Sequence, residues 1–174
     1  AVEAGAVTCL VTGPVDLEVP AGARAIAVES AMQMYDQSLS LLDDCDIFIA
    51  CAAVADYRPD EQASQKIKKT DDKMTISLVR NPDIVSAVAA SEPRPFTVGF
   101  AAETNDVLDY ARDKMQRKKL DMIVANDVAD PSIGFSSDEN AVTVLWQEGE
   151  QQIARAGKDA VARQIISLIA QLDS

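Results

Sequence analysis

Asp46-Ile47-Phe48-Ile49-Ala50-Cys51-Ala52-Ala53-Val54-Ala55-Asp56 decides the fold class of this 174-residue chain. Apolar residues follow the leading aspartate without the alternation of a half-solvated strand, and small residues take over before the closing aspartate. Such a run suits a central strand of a parallel sheet, buried on both faces. A helix comes just before it: Ser30 is an N-cap residue, and Met32, Met34, Tyr35, Leu39 and Leu42 supply the apolar positions. Helix followed at once by buried strand is the signature of a βαβ unit.

The same alternation extends in both directions. Toward the N-terminus, residues 7–12 form a β-rich run closed by Gly13-Pro14, and 25–28 form a second. Toward the C-terminus, 57–70 is polar and Lys-rich and reads as a loop, while Met74, Ile76 and Leu78 alternate with Thr75, Ser77 and Val79 as a strand with a partly polar face. Asn81-Pro82-Asp83 places an N-cap residue, a proline at the first helical position and an acid in the first turn, opening a helix over 84–90. Residues 96–101 and 121–125 read as buried strands, with a helix from Asp106 to about 119 between them. Residues 141–146 predict an edge or projecting hairpin strand with 147–151 as its turn, and 159–172 carries Val161, Ile165, Leu168, Ile169 and Leu172 on one helical stripe.

The predicted class is therefore α/β: a Rossmann-like, doubly wound, mostly parallel sheet with helices on both faces, as one domain over 1–174. Ligands of such sheets bind beyond the carboxyl ends of the strands. Here those ends fall just after Ala50, Phe100 and Ala125. Residues 1–5 read as the tail of an amphipathic helix running directly into a strand, so the N-terminal strand of the domain is expected to be missing from this chain.

Composition removes whole mechanisms. The chain has no histidine, which excludes Ser-His-Asp and Cys-His catalysis, His-ligated zinc and an imidazole proton shuttle. Sixteen Lys and Arg stand against 28 Asp and Glu, a net charge of −12, which argues against a nucleic-acid partner. Cys9, Cys45 and Cys51 are odd in number and lack CxxC spacing, so a disulfide framework and a zinc site both fail, and a reducing cytoplasm fits best. No apolar run approaches the roughly 20 residues of a membrane span. Chemistry must run on Lys, Asp, Glu, backbone amides or a bound cation.

Four places could carry it. The small residues from Ala50 onward let backbone groups approach a ligand closely, and Asp56 at the mouth could hold either a Mg²⁺ carried in with a triphosphate or a ribose hydroxyl. Lys66-Ile67-Lys68-Lys69 brings three cations to a segment able to fold over a polyphosphate, although such a run is commonly a solvated face. Lys114 and Lys118 share a helix face with Val107 and Ala111, and like charges one turn apart cost a few tenths of a kcal/mol unless an acceptor or anion relieves them. Phe100-Ala101-Ala102-Glu103-Thr104 closes a strand, where Phe100 is either a wall beside a base or a core residue, and Asn126-Asp127 closes the next. The cysteines read as small packing residues.

Taken together, 52–57, 66–69, Asn81-Pro82-Asp83-Ile84, 99–104, and Ala125-Asn126-Asp127 with Gly134-Phe135 closely resemble one family, the bacterial phosphopantothenoylcysteine synthetases. These are the ligase halves of bifunctional coenzyme A biosynthesis proteins. The resemblance spans essentially the whole chain, with the blocks in order. It implies a CTP-dependent ligase: phosphopantothenate is activated as an acyl-cytidylate with loss of pyrophosphate, and the amine of L-cysteine then displaces CMP. It further implies Mg²⁺, a homodimer, and a fused flavin (FMN) decarboxylase domain that this chain lacks.

By the same resemblance, Ala50, Cys51 and Ala52 are the strand-end backbone against CTP, and Asp56 is the nucleotide-site aspartate. Lys66 is the mobile-loop lysine that serves formation of the activated intermediate. Pro82, Asp83, Ile84 and Val85 line the CTP pocket, and Phe100, Lys114 and Lys118 are further CTP contacts. The family's first strand, a Gly-rich phosphate-contacting turn and an Asn-bearing segment would precede Ala1, so activity of this chain alone is not expected. The alternative is a noncatalytic nucleotide-binding or dimerisation module of the same fold. A dinucleotide-dependent oxidoreductase is disfavoured, since no GxGxxG follows a strand.

Overall fold

The structure is a computed structural model and describes residues 1–61, 63–68, 73–103, 107–127 and 137–173. Its nine strands among these residues are β1 (Thr8–Thr12), β2 (Ala23–Ala27), β3 (Ile47–Ala50), β4 (Tyr57–Pro59), β5 (Leu78–Arg80), β6 (Phe96–Glu103), β7 (Met122–Asp127), β8 (Glu139–Trp146) and β9 (Gly149–Gly157). The α-helices are α1 (Ala31–Ser40), α2 (Ile84–Ala89), α3 (Val107–Lys118) and α4 (Lys158–Leu172).

The central sheet has the order β3-β6-β7-β8-β9, parallel across β3, β6 and β7 and antiparallel from β7 onward. β1 and β2 form a separate parallel pair, and β4 with β5 a short antiparallel arm. The pleat sorts the core into two layers. Val98, Met122, Val124, Val142, Val144 and Ile153 meet the α4 stripe of Val161, Ile165, Leu168 and Ile169. On the opposite face Ala101, Ile123, Ala125 and Leu145 meet Ala111 and Met115 of α3 together with Ala89 and Leu120. Helices thus cover both faces, as the class requires, and a third cluster of Leu42, Ile84 and Val88 seats α2 against α1.

Local signals explain the helix ends. Ser30 closes a capping box with Gln33, its Oγ accepting from Gln33 N at 3.2 Å while Gln33 Oε1 accepts from Ser30 N at 3.1 Å. α3 stops at Lys119, which takes φ 55°, and Leu120 N then donates back to Met115 O. Below it, Asp121 Oδ2 accepts from Thr97 N at 2.7 Å and from Arg94 Nη2 at 2.8 Å, binding the starts of β6 and β7 together.

Several expectations are corrected. β3 is not a central strand buried on both faces: it pairs only with β6 among the described strands, and its residues are half-buried or exposed. The 57–70 loop begins with β4, because Tyr57 and Pro59 pair with Arg80 and Leu78. Of the 74–79 strand only its end enters a ladder, and Met74, Ile76 and Leu78 are all exposed. α2 is capped by Asp83, whose Oδ1 accepts from Ser86 N at 3.2 Å, and not by Asn81. The 141–146 strand is interior, since β9 pairs outside it. The 147–151 segment, expected as a turn, instead runs from Gly149 into β9, a mostly exposed strand that reaches the core at Ile153. Cys9 and Cys51 are exposed and do not pack in the core, while Cys45 is half-buried. The predicted helix start at Asp106 lies outside the described residues, as do Lys69, Thr104 and Gly134-Phe135. Among the described residues no helix is long and apolar enough to cross a membrane.

Gly99 sits where β6 passes under Leu120, and a Cβ built there would lie 2.6 Å from Leu120 Cδ1. Leu120 is buried and cannot swing into solvent. Gly99→Ala should therefore destabilise the fold by about 1–3 kcal/mol in thermal or denaturant unfolding. In a Leu120→Ala background the same change should cost nothing, and a full cost there would show that the close approach is not its cause.

Candidate functional site

Of the three parallel strands, β6 and β7 end side by side and β3 stops earlier. In the register Ala50↔Gly99 and Ala101↔Ala125, β6 runs on to Glu103 after β3 has ended, so the chain leaves β3 beside an uninterrupted edge of β6. Ala50 is half-buried, and Cys51 and Ala52 are exposed, which leaves their backbone open to a ligand. Val54 turns back onto the α1 and α2 cluster and anchors the 51–56 segment. Asp56 stands exposed at its end.

That end is tied to the start of α2. Asn81 N donates to Asp56 O at 2.8 Å, and Asn81 Nδ2 donates to Ala55 O at 2.8 Å. Arg58 Nη1 donates both to Arg80 O at 2.9 Å and to Asn81 Oδ1 at 3.1 Å, so the base of the β4–β5 arm joins the same knot. Sequence reasoning treats Asn81 only as a cap and passes over Arg58. No local pattern signals either role, because their partners lie 23 residues apart in the chain.

α3 faces the sheet with Ala111 and Met115 buried, and its two lysines go to different partners. Lys114 Nζ donates to Phe100 O at 2.7 Å, and Lys118 Nζ pairs with Asp83 Oδ2 at 3.0 Å. The expected repulsion along the helix is thus met by two separate acceptors. Phe100 is half-buried against the α4 layer, so its side chain serves the core while its carbonyl fixes Lys114. Ile84 is buried and Val85 partly so, which leaves their backbone and the N-terminal turn of α2 for any ligand.

Electrostatics follow from these contacts. Burial alone would raise the Asp83 carboxyl, but the Lys118 ammonium and the Ser86 bonds outweigh it and hold the group below its ordinary 3.8. Cys51 is exposed as a residue, yet the chain around its sulfur excludes enough water to push the thiol up to about 11. A thiol raised in this way is a weaker nucleophile at neutral pH than an ordinary cysteine.

The structure therefore ties Asp56, through Asn81, to the start of α2 with Pro82, Asp83, Ile84 and Val85, joins Lys118 to that start at Asp83, and sets Lys114 on the Phe100 carbonyl within β6. Lys66 is exposed in the segment between β4 and β5, and no hydrogen bond in the structure joins it to this group. Among the described residues no three His, Cys, Asp or Glu side chains converge as a metal cage. One exposed aspartate suits a Mg²⁺ that keeps its waters and arrives with substrate phosphates, since such ions need only one or two protein carboxylates. A cleft of about 580 Å³ opens at the other end of the sheet, lined by Asp43, Asp44, Asp46, Arg94 and Asp173 among others, and its aspartates would repel a polyanion.

The sequence profile of the family described as DNA/pantothenate metabolism flavoprotein C-terminal domain matches residues 1–172. The coenzyme A biosynthesis bifunctional protein CoaBC of Vibrio vulnificus strain YJ016 is 52% identical over 175 residues, covering 99% of this chain and 44% of that protein. The CoaBC protein of Escherichia coli K12 is 45% identical over 169 residues, covering 95% and 42%. The chain therefore spans less than half the length of these curated relatives. Among solved structures, the C-terminal domain of a CoaBC protein superposes with a TM-score of 0.81 at 32% identity, covering 98% of this chain and 76% of that one. A DNA/pantothenate metabolism flavoprotein from Streptococcus pneumoniae shares the fold, with a TM-score of 0.81 at 21% identity over 98% of this chain and 83% of its own.

The lowered Asp83 carboxyl sets a pH dependence. Its contribution to stability is present above 3.8 and fades as pH falls through the lower folded value. Asp83→Asn keeps a cap acceptor but loses the charge, so at pH 7 it should destabilise by about 0.5 kcal/mol, the size of a half-exposed ion pair. The difference from wild type should shrink as unfolding curves are taken at falling pH below 3.8 and vanish once the folded carboxyl is protonated. A gap that persists there would assign the effect to the cap instead.

Proposed function

This chain belongs to the DNA/pantothenate metabolism flavoprotein C-terminal domain family, and from that membership we propose that it performs the amide-forming ligation of coenzyme A biosynthesis. The carboxylate of 4'-phosphopantothenate attacks the α-phosphorus of CTP, forming an acyl-cytidylate and expelling pyrophosphate. The amine of L-cysteine then attacks the acyl carbon, loses its proton and expels CMP, leaving the amide of 4'-phosphopantothenoylcysteine. The observation that carries this reading is the pair Lys114 and Lys118, held at 2.7 Å and 3.0 Å from fixed acceptors on β6 and at the start of α2. In a chain of net charge −12 this supports a polyphosphate ligand, because Lys114 rests on a neutral carbonyl and Lys118 can exchange Asp83 for a phosphate.

The roles divide by chemistry. The backbone of Ala50, Cys51 and Ala52 offers hydrogen-bonding groups to the nucleotide, and the turn of Pro82, Asp83, Ile84 and Val85 forms the facing wall beside Phe100. Lys114 and Lys118 attract the phosphates. Lys66, exposed between β4 and β5, neutralises charge building on the departing pyrophosphate, where a lysine ammonium acts as a point charge. Asp56 is the group that would hold Mg²⁺ together with the phosphates, or else a ribose hydroxyl. When bound, Mg²⁺ supplies charge neutralisation and polarisation of the phosphoryl oxygens. Neither step calls for an imidazole, in keeping with the absence of histidine. The protein is proposed to work in the cytoplasm as a homodimer, with an FMN-dependent decarboxylase domain in the longer bifunctional chain.

The test is pyrophosphate release from CTP, dependent on 4'-phosphopantothenate, in the full-length protein. Absence of CTP turnover, or preference for ATP, would overturn the proposal, and CTP binding without turnover would favour a noncatalytic nucleotide-binding module. Lys66→Ala should slow acyl-cytidylate formation by about 10²–10³-fold, while the Kd for CTP changes little. Equal losses in rate and affinity would remove its assigned role. Asp56→Asn should weaken CTP binding about tenfold in the presence of Mg²⁺ and much less in EDTA. Calorimetric titrations indistinguishable from wild type would strike out both the metal and the ribose assignment.

A further inference from the structure

Asn81 is 9% exposed and uses every polar group of its side chain, and its backbone N–H, on one junction. The backbone N–H reaches Asp56 O and Nδ2 reaches Ala55 O, each at 2.8 Å, while Oδ1 accepts from Arg58 Nη1 at 3.1 Å. The partners fix which end of the amide is which. A carbonyl oxygen only accepts and a guanidinium only donates, so the side chain must present a donor to Ala55 and an acceptor to Arg58. Of the residues of this size only asparagine does both. The same guanidinium nitrogen also holds Arg80 O, and Tyr57 pairs with Arg80 in the β4–β5 arm. One amide thus joins the end of the 51–56 segment, the base of the arm that carries Lys66, and the residue preceding the α2 turn.

We propose that Asn81 is a positioning residue, which fixes Asp56 and the root of the Lys66 arm in register with the α2 turn that carries Asp83. This rests on the ligase reading for its catalytic consequence, although the positioning itself does not. Without the clamp the segment and the arm would each keep their own local contacts, Val54 on the core and the two-strand ladder, but would lose their fixed relation. The cost would fall on the geometry of the activated complex, because a phosphoryl group must meet the aspartate and the lysine together. Ground-state binding by Lys114 and Lys118 would be affected less, since their acceptors are Phe100 and Asp83 and not Asn81.

Asn81→Asp is the sharpest variant: it keeps shape and the acceptor for Arg58 but sets a carboxylate oxygen against Ala55 O. Two measurements on the full-length protein test the proposal. Amide hydrogen exchange needs no ligand. Residues 55–60 and 78–81 should exchange about ten- to a hundredfold faster in both Asn81→Asp and Asn81→Ala, with the protection of β7 and α4 unchanged. Unchanged exchange in that junction would overturn the clamp, as would a loss spread uniformly over the fold, which would mark Asn81 as a general stability residue. In CTP-dependent turnover, kcat should fall about tenfold or more, while KM for CTP rises by no more than the roughly tenfold expected of Asp56→Asn itself. Asn81→Ala combined with Asp56→Asn should be no slower than Asp56→Asn alone, and additive losses would show that Asn81 does not act through Asp56. If the wild type itself turns over no CTP, the ligase reading fails while the exchange experiment still decides the clamp.

Discussion

β6 has water on neither face through its middle. Val98 is fully buried in the layer under α4, and Gly99, buried under Leu120, faces the other. A strand in that position has no solvent to satisfy its N–H and C=O groups, so it must be paired along both edges. β3 and β7 supply the pairing in parallel. The register of that pairing stops β3 opposite Gly99 and carries β6 and β7 on together to Glu103 and Asp127, so 51–56 leaves β3 beside the last residues of β6. The missing side chain at Gly99 lets Leu120 close over the strand, bringing the C-terminal turn of α3 near enough for Lys118 to meet Asp83. Packing at one glycine therefore reaches the charges at the site.

Those charges are held by a division of labour. A carboxylate has lone pairs for several donors, and Asp83 uses them both to cap α2 at Ser86 and to pair with Lys118. Lys114 instead takes a backbone carbonyl that the sheet ladder leaves accessible at Phe100. In a chain so rich in acids, unpartnered lysines would spread over surface carboxylates and carry no information about position. Fixed acceptors on two different elements prevent that. On the proposed ligase reading, a phosphate arriving there would meet cations whose placement has already been arranged, which is the condition for strong electrostatic stabilisation.

What the sequence discloses depends on the range of the interaction that decides each feature. α4 is legible because its stripe of Val161, Ile165, Leu168 and Ile169 is a local pattern, and Ser30 with Gln33 is a local cap. The buried strands β6 and β7 are legible as unbroken apolar runs. β9 is not, since an outer strand pairs through its backbone and needs only Ile153 and Ala156 to touch the core, leaving a polar sequence. β3 misleads in the opposite sense: its apolar run promises a neighbour on each edge, and the described residues supply one. Lys114 and Lys118 are recognisable as an unusual pair on one face, but their acceptors come from β6 and the start of α2, which no spacing within α3 could name. Asp56 and Lys66 are visible only as residue types in suggestive places, and the resemblance to a family joins them before any contact does.

The start of α2 shows how a local rule and a tertiary demand compete. Asn81 and Asp83 are both good N-cap residues, and Pro82 at the first helical position favours a helix beginning after Asn81. Local chemistry alone would let Asn81 cap. Its amide, however, is the only nearby group among the described residues that donates to Ala55 O and accepts from Arg58 at once, and a side chain turned toward those partners cannot also reach back to the helix. Asp83 can cap and simultaneously receive Lys118, a use for its charge that Asn81 would not have. Giving the cap to the acid and the clamp to the amide satisfies the donors and acceptors that meet at the junction, and the exchange of roles would leave Lys118 without this counter-charge and Ala55 O without this donor. The cap therefore falls on Asp83 and not on Asn81, for a reason that resides in the neighbours of the site.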